Sequence, residues 1–151
     1  IILTSNVGTD VIMKMAEEGR TRPDAEVLNQ ALKPSLLQVF PPALLGRIVT
    51  VPYFPLSSDM LGGIVRLQLE RIRKRIEDNH DAAFTYSQAV VDHIVAQCND
   101  PDSGGRMIDN IITNTLLPEL SRHILNRAMD KQEISSVSVD VKDGAFDYEV
   151  G

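Results

Sequence analysis

The sequence is short of cysteine, of basic charge and of long apolar runs, and each shortage closes off a class of function. Cys98 is the only cysteine among 151 residues, so no internal disulfide can form, and no Cys/His cluster has the spacing of a zinc site. Redox and metal chemistry are not expected. Lysine and arginine number 15 against 21 acidic residues, for a formal charge of -6 and a pI near 5.0. That balance does not favour broad attraction to nucleic acid or to an acidic membrane surface. The longest uncharged apolar run, around Val39 to Gly46, is too short and too broken by proline to cross a bilayer, and no basic-then-apolar leader opens the chain. A cytosolic protein is expected. His80, His93 and His123 stand far apart with no H-E-x-x-H pattern or nucleophile partner. They are read as structural, and the five methionines, which form no stripe, as packing residues.

What is present is an ordinary globular composition, 43% hydrophobic and 24% charged, with enough apolar residues to bury a core. The chain opens without methionine on Ile1-Ile2-Leu3-Thr4, a β-branched run suited to a strand buried on both faces. The expectation is a piece of a longer protein whose preceding strands lie outside it, leaving this one to seek another edge. Next come a helix over Val11 to Glu18, a loop over Gly19 to Pro23, and a second helix from Asp24 to Val39 that Pro34 breaks or kinks. Pro42 starts a short helix through Leu45, closed by Gly46, and Ile48 to Val51 reads as a second buried strand.

A boundary is expected between Pro52 and Ser57. Beyond it Leu61, Val65, Leu69, Ile72 and Ile76 mark one face of a long helix capped by Ser57 or Ser58 and running to about Asn79. A β-prone stretch, Ala83 to Tyr86, precedes a helix over Ser87 to Cys98 and a turn-rich segment, Asn99 to Gly105. The next helix shows Met107, Ile108, Ile111, Ile112, Leu116, Leu120 and Ile124 on its apolar side, with Pro118 expected to bend it. Ser136 to Val141 and Ala145 to Val150 alternate as a terminal hairpin. In Glu70 to Glu77, the i, i+4 pairs Glu70 with Lys74 and Arg73 with Glu77 suggest a solvated face rather than an RNA-binding stripe.

Three polar residues stand in informative places, each with two readings. Asn6 follows the opening strand, where a short amide can orient a water or phosphate oxygen, or simply cap the next turn. Arg47 sits just past the short helix, either compensating its dipole or reaching, as a permanent planar cation, for a phosphate on a neighbouring subunit. Arg106 falls in the first turn of a helix that Asp102 or Ser103 would cap, where a cation opposes the dipole and calls for an anion. The anion is a ligand approaching Gly104 and Gly105 closely, or it is Asp102 or Asp109.

In this order the motifs resemble those of AAA+ ATPases of the Clp/Hsp100 family. Thr4-Ser5-Asn6 is similar to sensor 1, Phe40-Pro41-Pro42-Ala43-Leu44-Leu45-Gly46-Arg47-Ile48 to the arginine-finger segment, and Gly104-Gly105-Arg106 to the Gly-Ala-Arg of sensor 2. The resemblance implies an α+β chain. Residues 1–55 would be the end of an α/β large subdomain, and 56–151 a mostly helical small subdomain with a short antiparallel sheet. It implies that Asn6 positions the attacking water, that Arg47 reaches the γ-phosphate across a hexamer interface, and that Arg106, with Gly105, contacts nucleotide in its own subunit. Ile64, on the first helix of the small subdomain, is the implied apolar contact to adenine. The intact protein would use ATP with Mg and assemble with identical subunits in a ring.

The sequence contains no Gly-Lys dipeptide, hence no G-x-x-x-x-G-K-[ST] loop, and no Asp-Glu pair after an apolar strand. The chain alone is therefore expected neither to hydrolyse ATP nor to bind it tightly. Gly8 to Val39 lacks the Ile/Leu-Gly-Phe/Leu loop with which some family members dock a peptidase ring, so no such partner is expected. The wording Pro-Pro-Ala-Leu-Leu-Gly-Arg and Ser-Gly-Gly-Arg-Met-Ile-Asp is closer to the ClpV (TssH) branch, which recycles the bacterial type VI secretion sheath through an N-terminal domain absent here, than to ClpB disaggregases. A non-catalytic helical interaction domain is the reading from outside the family.

Overall fold

A computed structural model describes residues 1–18, 24–98 and 104–151. The expected Gly19 to Pro23 loop lies outside the described residues, as does most of the turn-rich segment after Cys98. The chain divides into two compact units, Ile1–Pro55 and Leu56–Gly151.

In the first unit, α1 (Thr9–Glu18) packs on α2 (Ala25–Val39), and α2 meets the short α3 (Pro42–Leu45). The α1–α2 approach is close at Gly8, whose φ of +82° and position against Leu32 leave no room for a β-carbon. Asp24 caps α2 by accepting from the Glu26 amide at 3.3 Å. Pro34 does not break α2, the first of the two expected outcomes, and the helix runs through it. It removes the amide that would bond the Gln30 carbonyl, but both residues are exposed, so water can take the donor's place.

The two expected strands of this unit, Ile1 to Thr4 and Ile48 to Val51, do not form. Ile1, Ile2, Leu3, Ile48, Val49 and Val51 are all exposed, and Leu28 and Leu32 supply the buried hydrophobics of the described part. A strand is stabilised by its neighbour's hydrogen-bond ladder. All strands among the described residues lie in the second unit, so the β-branched runs have nothing in the first to pair with.

The second unit is built on α4 (Ser58–His80). Ser57 caps it through its hydroxyl, which accepts from the Met60 amide at 3.3 Å, and Asp81, at φ 51°, ends it in the left-handed region. Leu61, Val65, Leu69, Ile72 and Ile76 are all buried, as their spacing predicts. Along the flank of this stripe Arg73 pairs with both Glu70 and Glu77. Glu70 therefore takes the i+3 arginine rather than the expected Lys74; these partners are exposed, and solvent screening leaves such pairs little effect on stability.

After α4 come β1 (Ala83–Tyr86), α5 (Gln88–Gln97), α6 (Gly104–Ile111) and α7 (Leu117–Met129). The terminal hairpin is β2 (Ser136–Lys142) and β3 (Ala145–Val150), joined by Asp143 and Gly144, both at positive φ as a two-residue hairpin turn requires. The antiparallel hairpin gains a third strand: β1 lies parallel to β2, in register from Ala83 opposite Ser136 to Tyr86 opposite Val139. The sheet is thus mixed, in the order β1-β2-β3. Phe84, Val137 and Val139 turn inward to meet α4 and α5, with Val90, Val91 and Ile94 in the same core.

The long helix expected over residues 107–124 is not uniform. Between α6 and α7, Ile112–Leu116 forms a π-helical turn in which the Leu117 amide reaches back five residues to the Ile112 carbonyl. Proline at 118 lacks the amide that an α-helix would aim at the Asn114 carbonyl. The break therefore precedes the proline and takes the form of a wider turn.

Ser87 sits at the N-terminal end of α5 but donates its hydroxyl to Asp140 of β2 at 2.6 Å, tying helix to sheet. That bond, reinforced by the Val141 amide, holds the Asp140 carboxyl below its ordinary value. A depressed carboxyl contributes stability that is present above the unfolded-state value of 3.8 and is lost as pH falls through the folded one. Ser87→Ala should raise the Asp140 titration midpoint toward 3.8, followed by carboxyl NMR. Its stability deficit relative to wild type should shrink as the solution is acidified below that value. In the core, Leu69 is fully buried. Leu69→Ala should cost about 2–5 kcal/mol in denaturant unfolding, as a lower midpoint with an unchanged slope.

Candidate functional site

Asn6 and Arg47 belong to the first unit, and Ile64, Gly105 and Arg106 to the second. Asn6 is exposed and lies ahead of α1, and its carbonyl accepts from the Thr9 amide at 3.3 Å and the Thr9 hydroxyl at 2.7 Å. The turn into α1 is thus closed by the Asn6 backbone and by Ser5, whose hydroxyl accepts from the Val7 amide at 3.2 Å. The Asn6 side-chain amide is not the capping group of that turn.

Arg47 is also exposed. Its amide donates to the Leu44 carbonyl at 2.9 Å, so α3 unwinds through one further turn before the arginine side chain leaves. Gly46 closes the helix at φ -71° in a right-handed conformation, donating to the Pro42 carbonyl at 3.0 Å. A four-residue helix carries too few aligned peptides for a strong dipole, which weakens the purely structural reading of Arg47. Beside it a hollow of about 430 Å³ is lined by Asn29, Lys33, Leu36, Pro42, Leu45 and Gly46, among others. Asn29 Oδ1 is buried without a hydrogen-bond partner. Asn29 and Lys33 occupy one face of α2 at i and i+4, a placement visible in the sequence only once α2 and α3 are known to face each other.

In the second unit the structure brings together two residues far apart in sequence. A β-carbon on Gly105 would stand 3.9 Å from Ile64 Cδ1, so the start of α6 lies directly on the Ile64 face of α4. Ile64 is half-buried against the core, and Arg106 next to Gly105 is exposed in the first turn of α6. Asp109, one of its two possible internal partners, instead accepts from Gln68 Nε2 at 2.6 Å. Asp102, the other, and the expected cap residue Ser103 lie outside the described residues. The arrangement is an apolar side chain against a glycine backbone, with an exposed arginine as the next residue of the helix. Such a set suits a ligand with a flat apolar part and an anionic part.

Gln68 had no signal in the sequence beyond its i+4 spacing from Ile64, yet its bond to Asp109 fixes α6 against α4. His93 and His123 pack on the sheet. His93 stands edge-on to Phe146 at 5.1 Å and bonds Gln97 at 2.7 Å, and His123 stacks on Tyr148 at 5.3 Å. Cys98 is half-buried, with its thiol pushed up by burial and directed at the Ile94 carbonyl.

Residues 56–139 match the family model described as the C-terminal, D2-small domain of ClpB protein. The chain is 47% identical over 149 residues to the AAA+ ATPase ClpV1 of Pseudomonas aeruginosa, covering 99% of this chain and 16% of that protein. It is 38% identical over 150 residues to the chaperone protein ClpB of Yersinia enterocolitica, covering 99% of this chain and 17% of the relative. It therefore spans about a sixth of the length of these relatives. Among solved structures, a closed-state cryo-EM reconstruction of Hsp104:ATPyS and FITC casein superposes with a TM-score of 0.70 over 97% of this chain and 25% of that one, at 24% identity. The likeness extends to the fold.

The space beside Gly105 has a direct consequence. With its nearest outside atom at 3.9 Å, an alanine methyl fits in ordinary contact. Gly105→Ala should raise stability by about 0.4–1 kcal/mol by lowering the entropy of the unfolded chain, read as a higher denaturant midpoint.

Proposed function

The chain belongs to the Clp/Hsp100 family, and on that premise we propose that it is the nucleotide-sensing and ring-forming part of a hexameric, ATP-driven protein unfoldase of the bacterial cytoplasm. The observation that carries this reading is the approach of Gly105 to Ile64, which brings the start of α6, where the exposed Arg106 follows Gly105 in sequence, onto the Ile64 face of α4. Residues 1–55 act as the end of the AAA+ large subdomain and 56–151 as the small subdomain. Arg106 contacts the phosphates of nucleotide in its own subunit, Gly105 lets the backbone come close, and Ile64 packs on the adenine. Asn6 orients the attacking water. Arg47, exposed behind the short and weakly polarised α3, reaches the γ-phosphate held by the adjacent subunit, where a permanent planar cation stabilises charge developing in transfer.

ATP with Mg supplies the phosphoryl group whose transfer drives unfolding, and the phosphate-cradling loop and acidic pair that hold it come from elsewhere in the longer protein. The higher identity to ClpV1 favours the ClpV branch, and with that branch goes our reading of the contracted type VI secretion sheath as substrate, bound by a separate N-terminal domain; the lack of an Ile/Leu-Gly-Phe/Leu loop between Gly8 and Val39 speaks against a peptidase ring. A second reading, a ClpB-like disaggregase, is favoured by the match to the ClpB small-domain model.

Arg47→Ala and Arg106→Ala, each made in the full-length protein, should lower ATP turnover by at least about tenfold, measured as phosphate release. Turnover near wild type in both would leave a non-catalytic interaction domain as the better description. Contracted sheath tubules offered against heat-aggregated protein, with ATP present, discriminate the two motor readings by which one is dispersed.

A further inference from the structure

Ile108, Ile112, Leu116, Leu120 and Ile124 are spaced by four, and all lie in or against one core. In an unbroken α-helix a spacing of four drifts by about 40° per step, so Ile124 would stand roughly 160° around the axis from Ile108. The π-turn at Ile112–Leu116 winds less per residue and takes back part of that drift. It sets the rotational phase between α6, which carries Arg106, and α7.

The turn is held from two sides. Pro118 withholds an amide and lets the Leu117 amide bond Ile112. From the sheet, Tyr148 of β3 donates its hydroxyl to the Leu116 carbonyl at 3.3 Å, while its ring stacks on His123 of α7. Burial, with the Glu119 carboxylate nearby, pushes the phenol up to about 12, so it stays a protonated donor in any ordinary buffer. Rewinding the π-turn into α-helix would rotate α6 relative to α7 by about 100°, one residue's worth. Ile108 would then leave the core, Gly105 would turn away from Ile64, and Arg106 would rotate with them.

We propose that Tyr148 is a positioning residue for Arg106: its hydroxyl, by holding the π-turn at Leu116, fixes the rotation of α6 and so the direction in which the guanidinium meets the phosphates of bound nucleotide. This rests on the reading of Arg106 as the nucleotide-contacting arginine. The terminal hairpin thereby becomes part of the nucleotide-sensing apparatus, although β3 follows Arg106 by some forty residues.

The test is ATP hydrolysis by the full-length protein as wild type, Tyr148→Phe, Arg106→Ala and the double variant, with KM and kcat per assembled ring. Phenylalanine keeps the ring on His123 and removes the hydroxyl alone. Tyr148→Phe is expected to raise the ATP KM about threefold, the effect of one modest hydrogen bond, with kcat changed by less than about twofold. In the Arg106→Ala background the same substitution should add nothing to KM. Pro118→Ala, which returns the missing amide, should shift KM in the same direction as Tyr148→Phe. A Tyr148→Phe protein with wild-type KM, with only less active ring, or with the same KM increase whether or not Arg106 is present, overturns the positioning role while leaving the Arg106 reading intact. Arg106→Ala with wild-type kinetics overturns both.

Discussion

The apolar stripe of α4 is the constraint on which the second unit depends. Val65 and Leu69 have no exposed surface, and Leu61, Ile72 and Ile76 have little. At about 1.5–3 kcal/mol for each large side chain removed from water, this stripe supplies much of the driving force for the unit. Its neighbours cover it from three sides: α5 through Val90, Val91 and Ile94, α6 through Ile108, and the sheet through Phe84 of β1, with Val137 and Val139 in the same core. Because the same helix turns Ile64 toward Gly105 next to the stripe, the packing that stabilises the unit also locates the candidate site.

Covering a straight helix with a second long helix raises a problem of phase. Residues spaced by four cannot all face one core over four turns of α-helix. The π-turn and Pro118 resolve it together, and the sheet adds the Tyr148 bond to the turn's last carbonyl. The repeated spacing of four was visible in the sequence. Its consequence was not, because proline before a helical run is equally compatible with a bend, and only the burial of both Ile108 and Leu120 requires the extra residue in the turn.

The first unit shows the opposite situation. Its helices form where capping and turn chemistry predict, at Asp24, Pro42 and Gly46. Its two β-branched runs remain exposed and irregular, since their propensity requires a paired neighbour to become a strand. Within the site, Arg106 and Gly105 were legible as a helix start, and Ile64 as one more residue of α4. Their apposition was not, being a contact across 41 positions; nor was the choice of Asp109 by Gln68 rather than by Arg106.

By itself the sequence determined what is local: which segments are helical, which face of each is apolar, where caps and the hairpin turn fall, and the order of motifs that marks the family. These follow from side-chain periodicity and the conformational limits of serine, proline and glycine, which act within a few residues. Tertiary structure alone decided that β1 adds parallel to the hairpin, that the long helix changes register at Ile112, and that Gly105 comes to lie against Ile64. Each of these depends on which distant surface an element is pressed against, and burial rather than propensity makes that choice.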